Sequence, residues 1–268
     1  MNKQSMTHFS KKLMKLALLG LALPLSLVSV ADTPALNQSE KAVYANDFGS
    51  GNRASDYLPV ANAWRFDAYP DYYSILGASR LNPAVFPEPS KMSYSPLDEL
   101  GRTQVARGTI TYHNIVMNYN VRQRFAKNQN PSGWIGNPRN VRYTIEWLDG
   151  LSYQGDFWNR SHLIADSLGG AALRVNAITG TRTQNVGGRN QRGGMRYIEQ
   201  KVQQWIEQHT SAVVYYEAMP IYQANELVPR AVVVSALSSD GGLDEKVMVY
   251  NTANGYTINY ATGAFQSN

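Results

Sequence analysis

Apolar residues alternate with polar ones, or run β-branched, over residues 105–112, 141–147, 151–157, 212–221, 231–236, 246–250 and 256–260. A period of two with Val, Ile and Tyr enriched predicts strands at all seven. Asp149-Gly150, between the second and third, is a hairpin turn signal. The period changes over residues 194–209, where Met195, Ile198, Val202 and Trp205/Ile206 recur on one face of a predicted helix. Many strands around one long helix predict an α+β domain on a central antiparallel sheet. Residues 78–104, punctuated by Pro83, Pro87, Pro89 and Pro96, read as a long irregular connection. No internal repeat or low-complexity segment interrupts this plan.

The N-terminus follows a different pattern. Lys3, Lys11, Lys12 and Lys15 precede an apolar run from Leu16 to Val30 that Pro24 interrupts, and Ser29-Val30-Ala31 follows the form of a cleavage site. Residues 1–31 are therefore expected to be a secretory signal peptide, the run being shorter than the ~20 residues of a spanning helix. Residues 32–60, polar with Asn46, Gly49, Gly51 and Asn52 clustered, are expected to be a loosely ordered lead-in. Residues 61–268 then form one domain, its packed part starting at Trp64-Arg65-Phe66. No later segment is long and apolar enough to span a membrane, so a secreted, extracellular and soluble protein is expected.

Composition narrows the chemistry. With no cysteine, disulfides, thiol nucleophiles and cysteine-bound zinc are excluded. The formal charge of +5 is little argument for an anionic partner, since four of the lysines lie in residues 1–31, which hold no acid. The distribution is more informative. Residues 101–196 carry thirteen Lys/Arg against four Asp/Glu, whereas both flanks are net acidic. Arg102, Arg107, Arg122, Arg124, Lys127, Arg139 and Arg142 precede His162, and Arg174, Arg182, Arg189, Arg192 and Arg196 follow it. Either series alone is ordinary solvated charge; flanking one histidine, they describe a phosphate-attracting face.

Of four histidines, His8 falls in the leader, His113 in a strand-like run, and His209 near a helix C-terminus where it complements the dipole. His162 remains, after a strand-like run and two residues beyond Arg160, in Trp158-Asn159-Arg160-Ser161-His162. Histidine titrates near neutrality, arginine recognises phosphate, and asparagine offers a hard oxygen to Mg²⁺. Asn185, beside Val186-Gly187, reads equally as a turn residue or a metal ligand. Asn176 either holds the histidine loop or binds substrate. Glu199, next to the buried-face Ile198, reads as a surface glutamate or as a carboxylate orienting metal-bound water.

The run WNRSHLIADSLGG followed by NAITGTRTQNVGGRNQRGGMRYIEQKV resembles the DNA/RNA non-specific endonucleases of the ββα-metal (His-Me finger) class, and within it the streptococcal secreted DNases. The likeness continues through YYSILGASRLNPAVFP, LDELGRTQVARGTITY, KNQNPSGWIGNP, IEWLDGLSYQGDFWNRSH and VMVYNTANGYTINY, nearly the whole chain after residue 31. It implies a ββα-metal fold, His162 as general base, Asn185 as protein ligand of one Mg²⁺ ion (Mn²⁺ or Ca²⁺ being candidate substitutes) and Glu199 as the assisting acid. Arg160 and Arg182 would hold phosphate oxygens, and Asn176 falls at a position the class uses around its site. Many members carry Asp-Arg-Gly-His where Asn159-Arg160-Ser161-His162 stands here, which leaves a carboxylate role at Asn159 without support.

The function expected is secreted, metal-dependent endonuclease action on DNA, with RNA also open to it, and little sequence preference. Two alternatives stay open on residues alone. One is a secreted mitogen or host-interaction protein in which cleavage is secondary, its host-cell partner unspecified. The other is a metal-independent ribonuclease, which needs His113 or His209 to reach His162.

Overall fold

Residues 231–236 read as an unbroken apolar run because the strand they build is covered on both faces. Val232, Val234 and Ala236 lie in one core cluster, and Ala231 and Val233 in another; a strand with one solvated face would alternate instead. The computed structural model describes residues 53–119 and 123–268. The predicted leader, residues 32–52, His8 and Arg122 lie outside them.

In chain order, a 3-10 turn (Ala54–Tyr57) leads into helix α1 (Leu58–Ala61) and strands β1 (Tyr73–Gly77), β2 (Met92–Tyr94) and β3 (Ala106–Ile110). Helix α2 (Tyr112–Asn118) precedes strands β4 (Tyr143–Glu146), β5 (Ser152–Gly155), β6 (Trp158–His162) and β7 (Ala177–Thr181). Helices α3 (Arg182–Val186) and α4 (Met195–Gln208) follow, then strands β8 (Val214–Ile221), β9 (Ala231–Ser238), β10 (Asp244–Tyr250), β11 (Tyr256–Asn259) and β12 (Ala264–Ser267).

Six strands form an antiparallel sheet in the order β1-β10-β9-β8-β3-β2. Helix α4 buries Met195, Ile198, Val202 and Ile206 in a core shared with Val214, Tyr216 and Ala218 of β8. Each such side chain contributes roughly 1.5–3 kcal/mol by leaving water. The opposite face is closed by Tyr57, Val60 and Ala61 against Met219, Ile221, Met248 and Tyr250. A third cluster lies under the hairpins β4–β5 and β11–β12, where Phe157 stacks on Phe265 with ring centroids 3.7 Å apart. Strands β6 and β7 pair separately and antiparallel, and α3 and α4 follow them. This is an α+β architecture carrying a ββα element.

Several local expectations change. Residues 54–61 are helical and bury Tyr57, so the packed part begins before Trp64. The strand predicted over 105–112 stops at Ile110, because the Thr111 amide donates to Asn114 Oδ1 (2.9 Å) and caps α2, which leaves His113 exposed on a helix. The proline-rich connection contains β2, a three-residue edge strand without proline, in which Met92 pairs opposite Gly108. Among the described residues, no helix is long and apolar enough to cross a membrane.

Candidate active site

Strand β6 is anchored by its first residue. Trp158 is buried, its indole donates to the Gly263 carbonyl (3.0 Å), and Asn137 both accepts from its amide (3.0 Å) and donates to its carbonyl (2.8 Å). From there β6 pairs with β7 residue by residue to His162 opposite Ala177. Asn159, Arg160 and His162 line a cleft of about 800 Å³, closed by Phe125, Trp134, Asp156, Asp166 and Asn185.

The loop beyond His162 is held by Asn176. Its Oδ1 accepts from the Ile164 amide (2.9 Å), and its Nδ2 donates to the Ile164 and Ala171 carbonyls, each at 3.0 Å. Glycine is required at position 170, where a Cβ would lie 1.8 Å from the Ile164 carbonyl oxygen. Gly169 beside it takes φ +95°, the left-handed region. Asn176 is fully buried with both ends of its amide engaged, so a substrate-binding role is corrected: it is a clamp on the histidine loop. Asn176→Ala should lower stability by about 2–4 kcal/mol, because it strands two buried backbone groups, the Ile164 amide and carbonyl. A thermal melt within a degree of the parent would rule the clamp out.

Burial pushes the His162 imidazole down to about 4, with Asp166 opposing. It is therefore neutral at pH 7 and able to take a proton. Its Nε2 is enclosed without a protein partner, and Phe125 packs 4.6 Å from the ring. Arg160 lies over Trp134 at 5.1 Å and over Phe125 at 5.9 Å, with a buried Nε that also lacks a partner. Among the described residues it has no carboxylate pairing it, so its charge is available to an anion in the cleft.

Asn185 sits within α3, not in a turn. The helix starts at Thr181, whose hydroxyl caps the Gln184 amide (3.0 Å), and it turns the Asn185 side chain toward the cleft. Ser161 Oγ donates to Asn185 Oδ1 at 3.2 Å. Among the described residues, no three His, Cys, Asp or Glu come together as a ligand cage. What the cleft offers a cation is hard oxygen: Asn185 Oδ1 and the carboxylate of Asp166, whose Oδ1 is buried without a partner. That donor set fits an ion that keeps several of its waters, as Mg²⁺ does, better than one seeking a nitrogen or sulfur cage.

Two other expected residues lie elsewhere. Arg182 stands over the Tyr153 ring (5.1 Å) in a separate groove with Trp147 and Arg189, and it does not line the His162 cleft. Glu199 does not line it either. Glu199 is half-buried on α4: burial drives its carboxyl up to about 8, Arg196 alone drawing it down, and its charge is felt by the buried Tyr216 hydroxyl on β8. Phe125, Trp134 and Asp166 were missed by sequence reasoning. Only Asp166 left a signal, as a carboxylate four residues after His162. Neither His113 nor His209 reaches the cleft; His209 caps α4 and stacks on Trp205, 4.1 Å between centroids.

A family model described as DNA/RNA non-specific endonuclease matches residues 75–267. A deoxyribonuclease of Streptococcus dysgalactiae subsp. equisimilis is 37% identical over 242 residues, covering 74% of this chain and 73% of the relative. The solved Sda1 nuclease with bound zinc ion is 38% identical, with a TM-score of 0.72 over 76% of this chain and all of its own. NucA from Streptococcus agalactiae, solved with a magnesium ion bound, shares the fold at 24% identity and a TM-score of 0.55, over 71% of this chain and 83% of NucA. By the family match and the deoxyribonuclease relative, the chain belongs to the DNA/RNA non-specific endonuclease family and is a phosphodiester-hydrolysing nuclease.

Proposed function

We propose that the chain is a secreted, Mg²⁺-dependent endonuclease acting on DNA, and on RNA as well, with little sequence preference. The observation that carries this reading is the cleft itself, where a neutral, half-buried His162, an unpaired Arg160 and the oxygen of Asn185 face the same space. His162 accepts the proton of the attacking water on its unprotonated ring nitrogen. Arg160 donates to non-bridging phosphate oxygens, a charge-assisted bond stronger than a neutral one. Asn185 would hold the ion through Oδ1, with Glu199, outside the cleft lining, assisting at one remove. When bound, Mg²⁺ supplies charge stabilisation at the phosphate and at the departing 3′ oxygen.

Because water is the nucleophile, no ribose 2′-hydroxyl takes part, and the products carry 5′-phosphate and 3′-hydroxyl ends. Arg124 and Arg160, the arginines that line the cleft, engage backbone phosphate, which carries no sequence information. The zinc of the Sda1 nuclease supports a divalent site in this fold; the hard oxygen donors and the lack of cysteine favour Mg²⁺ here. Secretion rests on the pattern of residues 1–31, and a single nuclease domain on the predicted strand plan, its packed part including residues 54–60 of the expected loose lead-in. The test is digestion of supercoiled plasmid, linear duplex and RNA by the purified protein, with the new ends labelled. All three should be cut to 5′-phosphate ends. Cleavage of RNA alone, leaving 2′,3′-cyclic phosphate, would replace this reading with a metal-independent ribonuclease.

A further inference from the structure

Ser161 lies between the two residues that face the cleft, Arg160 and His162, yet its own side chain turns the other way and is fully buried. There the ββα element is packed tightly. A Cβ at Gly180 would fall 2.7 Å from Ser161 Cβ and 2.3 Å from Gln184 Oε1, so β7 needs a bare backbone to bring β6 against α3. Gln184 is equally buried, and neither end of its amide bonds to Ser161. The hydroxyl partner is Asn185 Oδ1, at 3.2 Å.

We propose that Ser161 is a positioning residue for the metal ligand: its hydroxyl holds the Asn185 amide with the oxygen, not the NH₂, available to the cation. The inference rests on the reading of Asn185 as that ligand. An asparagine amide turns about a broad, nearly two-fold torsion, so its two ends exchange readily unless a neighbour distinguishes them. Ser161 distinguishes them by its burial. If Asn185 turned its NH₂ toward Ser161, the hydroxyl proton would lose its acceptor in a dry site and stand as a costly unsatisfied donor. Donating to Oδ1 avoids that cost. A carbonyl oxygen has two lone pairs, and one is left for a cation in the cleft. Partners that orient a metal ligand typically govern its affinity by about 10–100-fold.

The test is calorimetric titration of Mn²⁺ and Mg²⁺ into the full chain, comparing the parent with Ser161→Ala, Asn185→Ala and the double variant, each checked by circular dichroism. Ser161→Ala should weaken metal binding by about tenfold or more. The metal concentration giving half-maximal cleavage should rise by the same factor, and the rate at saturating metal should fall by less. In the Asn185→Ala background the same change should do nothing further. Ser161→Cys, which nearly conserves volume with a weaker donor, should fall between parent and alanine, and it carries the test if the alanine variant misfolds. Metal binding within twofold of the parent in folded Ser161→Ala, while Asn185→Ala loses it, overturns the positioning role alone. Parental binding by Asn185→Ala overturns the ligand assignment and this inference with it.

Discussion

Replacing His162 with alanine should lower the rate of DNA cleavage by about 10²–10⁴-fold, the range a positioned base supplies. Arg160 and Asn185 remain in place in the variant, so substrate and metal binding should persist and the loss should fall on kcat. The pH profile separates this base from an ordinary histidine. The imidazole is held down to about 4 because it lies behind Phe125 and out of water. A base works deprotonated, so activity is present above that value and lost as pH falls through it. An imidazole left at 6.5 would be half protonated at pH 6.5 and about 90% protonated at pH 5.5. The parent should therefore retain most of its activity at pH 5.5. Stability follows the same sign: an unfolded chain binds the proton near 6.5 and the folded one near 4, so His162 destabilises the fold as pH falls between them. Full activity in a folded His162→Ala variant would remove His162 from the chemistry.

Chelation is the second large effect. Adding EDTA in excess should abolish cleavage to within detection, about 10³-fold or more, since charge stabilisation by a bound cation amounts to several kcal/mol. Mg²⁺ added back should restore it, and Mn²⁺ and Ca²⁺ show how strict the site is. The fold should survive chelation. Its three core clusters are apolar and none contains the cleft oxygens, so circular dichroism should be unchanged while activity vanishes. Undiminished cleavage in EDTA would refute the metal half of the proposal, whatever the outcome at His162.

Much of the frame was legible because it depends on local pattern. The strand alternation of 212–221 and 246–250 and the four-residue recurrence on α4 follow from backbone geometry, and the structure places those elements within a few residues of the prediction. Strand β7 was not legible. Ala-Ile-Thr-Gly-Thr looks polar and turn-like, yet all five residues are buried. Its hydroxyls are satisfied by distant backbone, Thr179 by the Ser132 carbonyl (2.8 Å) and Thr181 by that of Thr252 (3.0 Å). No window of sequence contains those partners.

The site divides in the same way. Arg160 and His162 could be singled out because residue type and spacing on one strand carry their chemistry. Asn176 and Asn185 posed the same question in sequence, and partners decided it: one amide is consumed by three backbone bonds, and the other receives a single hydroxyl and faces the cleft. The chain by itself determined the alternation, the helix face, the basic middle and the identity of the one well-placed histidine, all properties of neighbours along the backbone. Tertiary packing alone decided that Glu199 is half-buried with its carboxyl raised, that Arg182 faces another groove and that burial keeps His162 neutral. The reason is physical: desolvation and hydrogen-bond satisfaction depend on which groups meet across the fold, and spacing along the chain does not encode that.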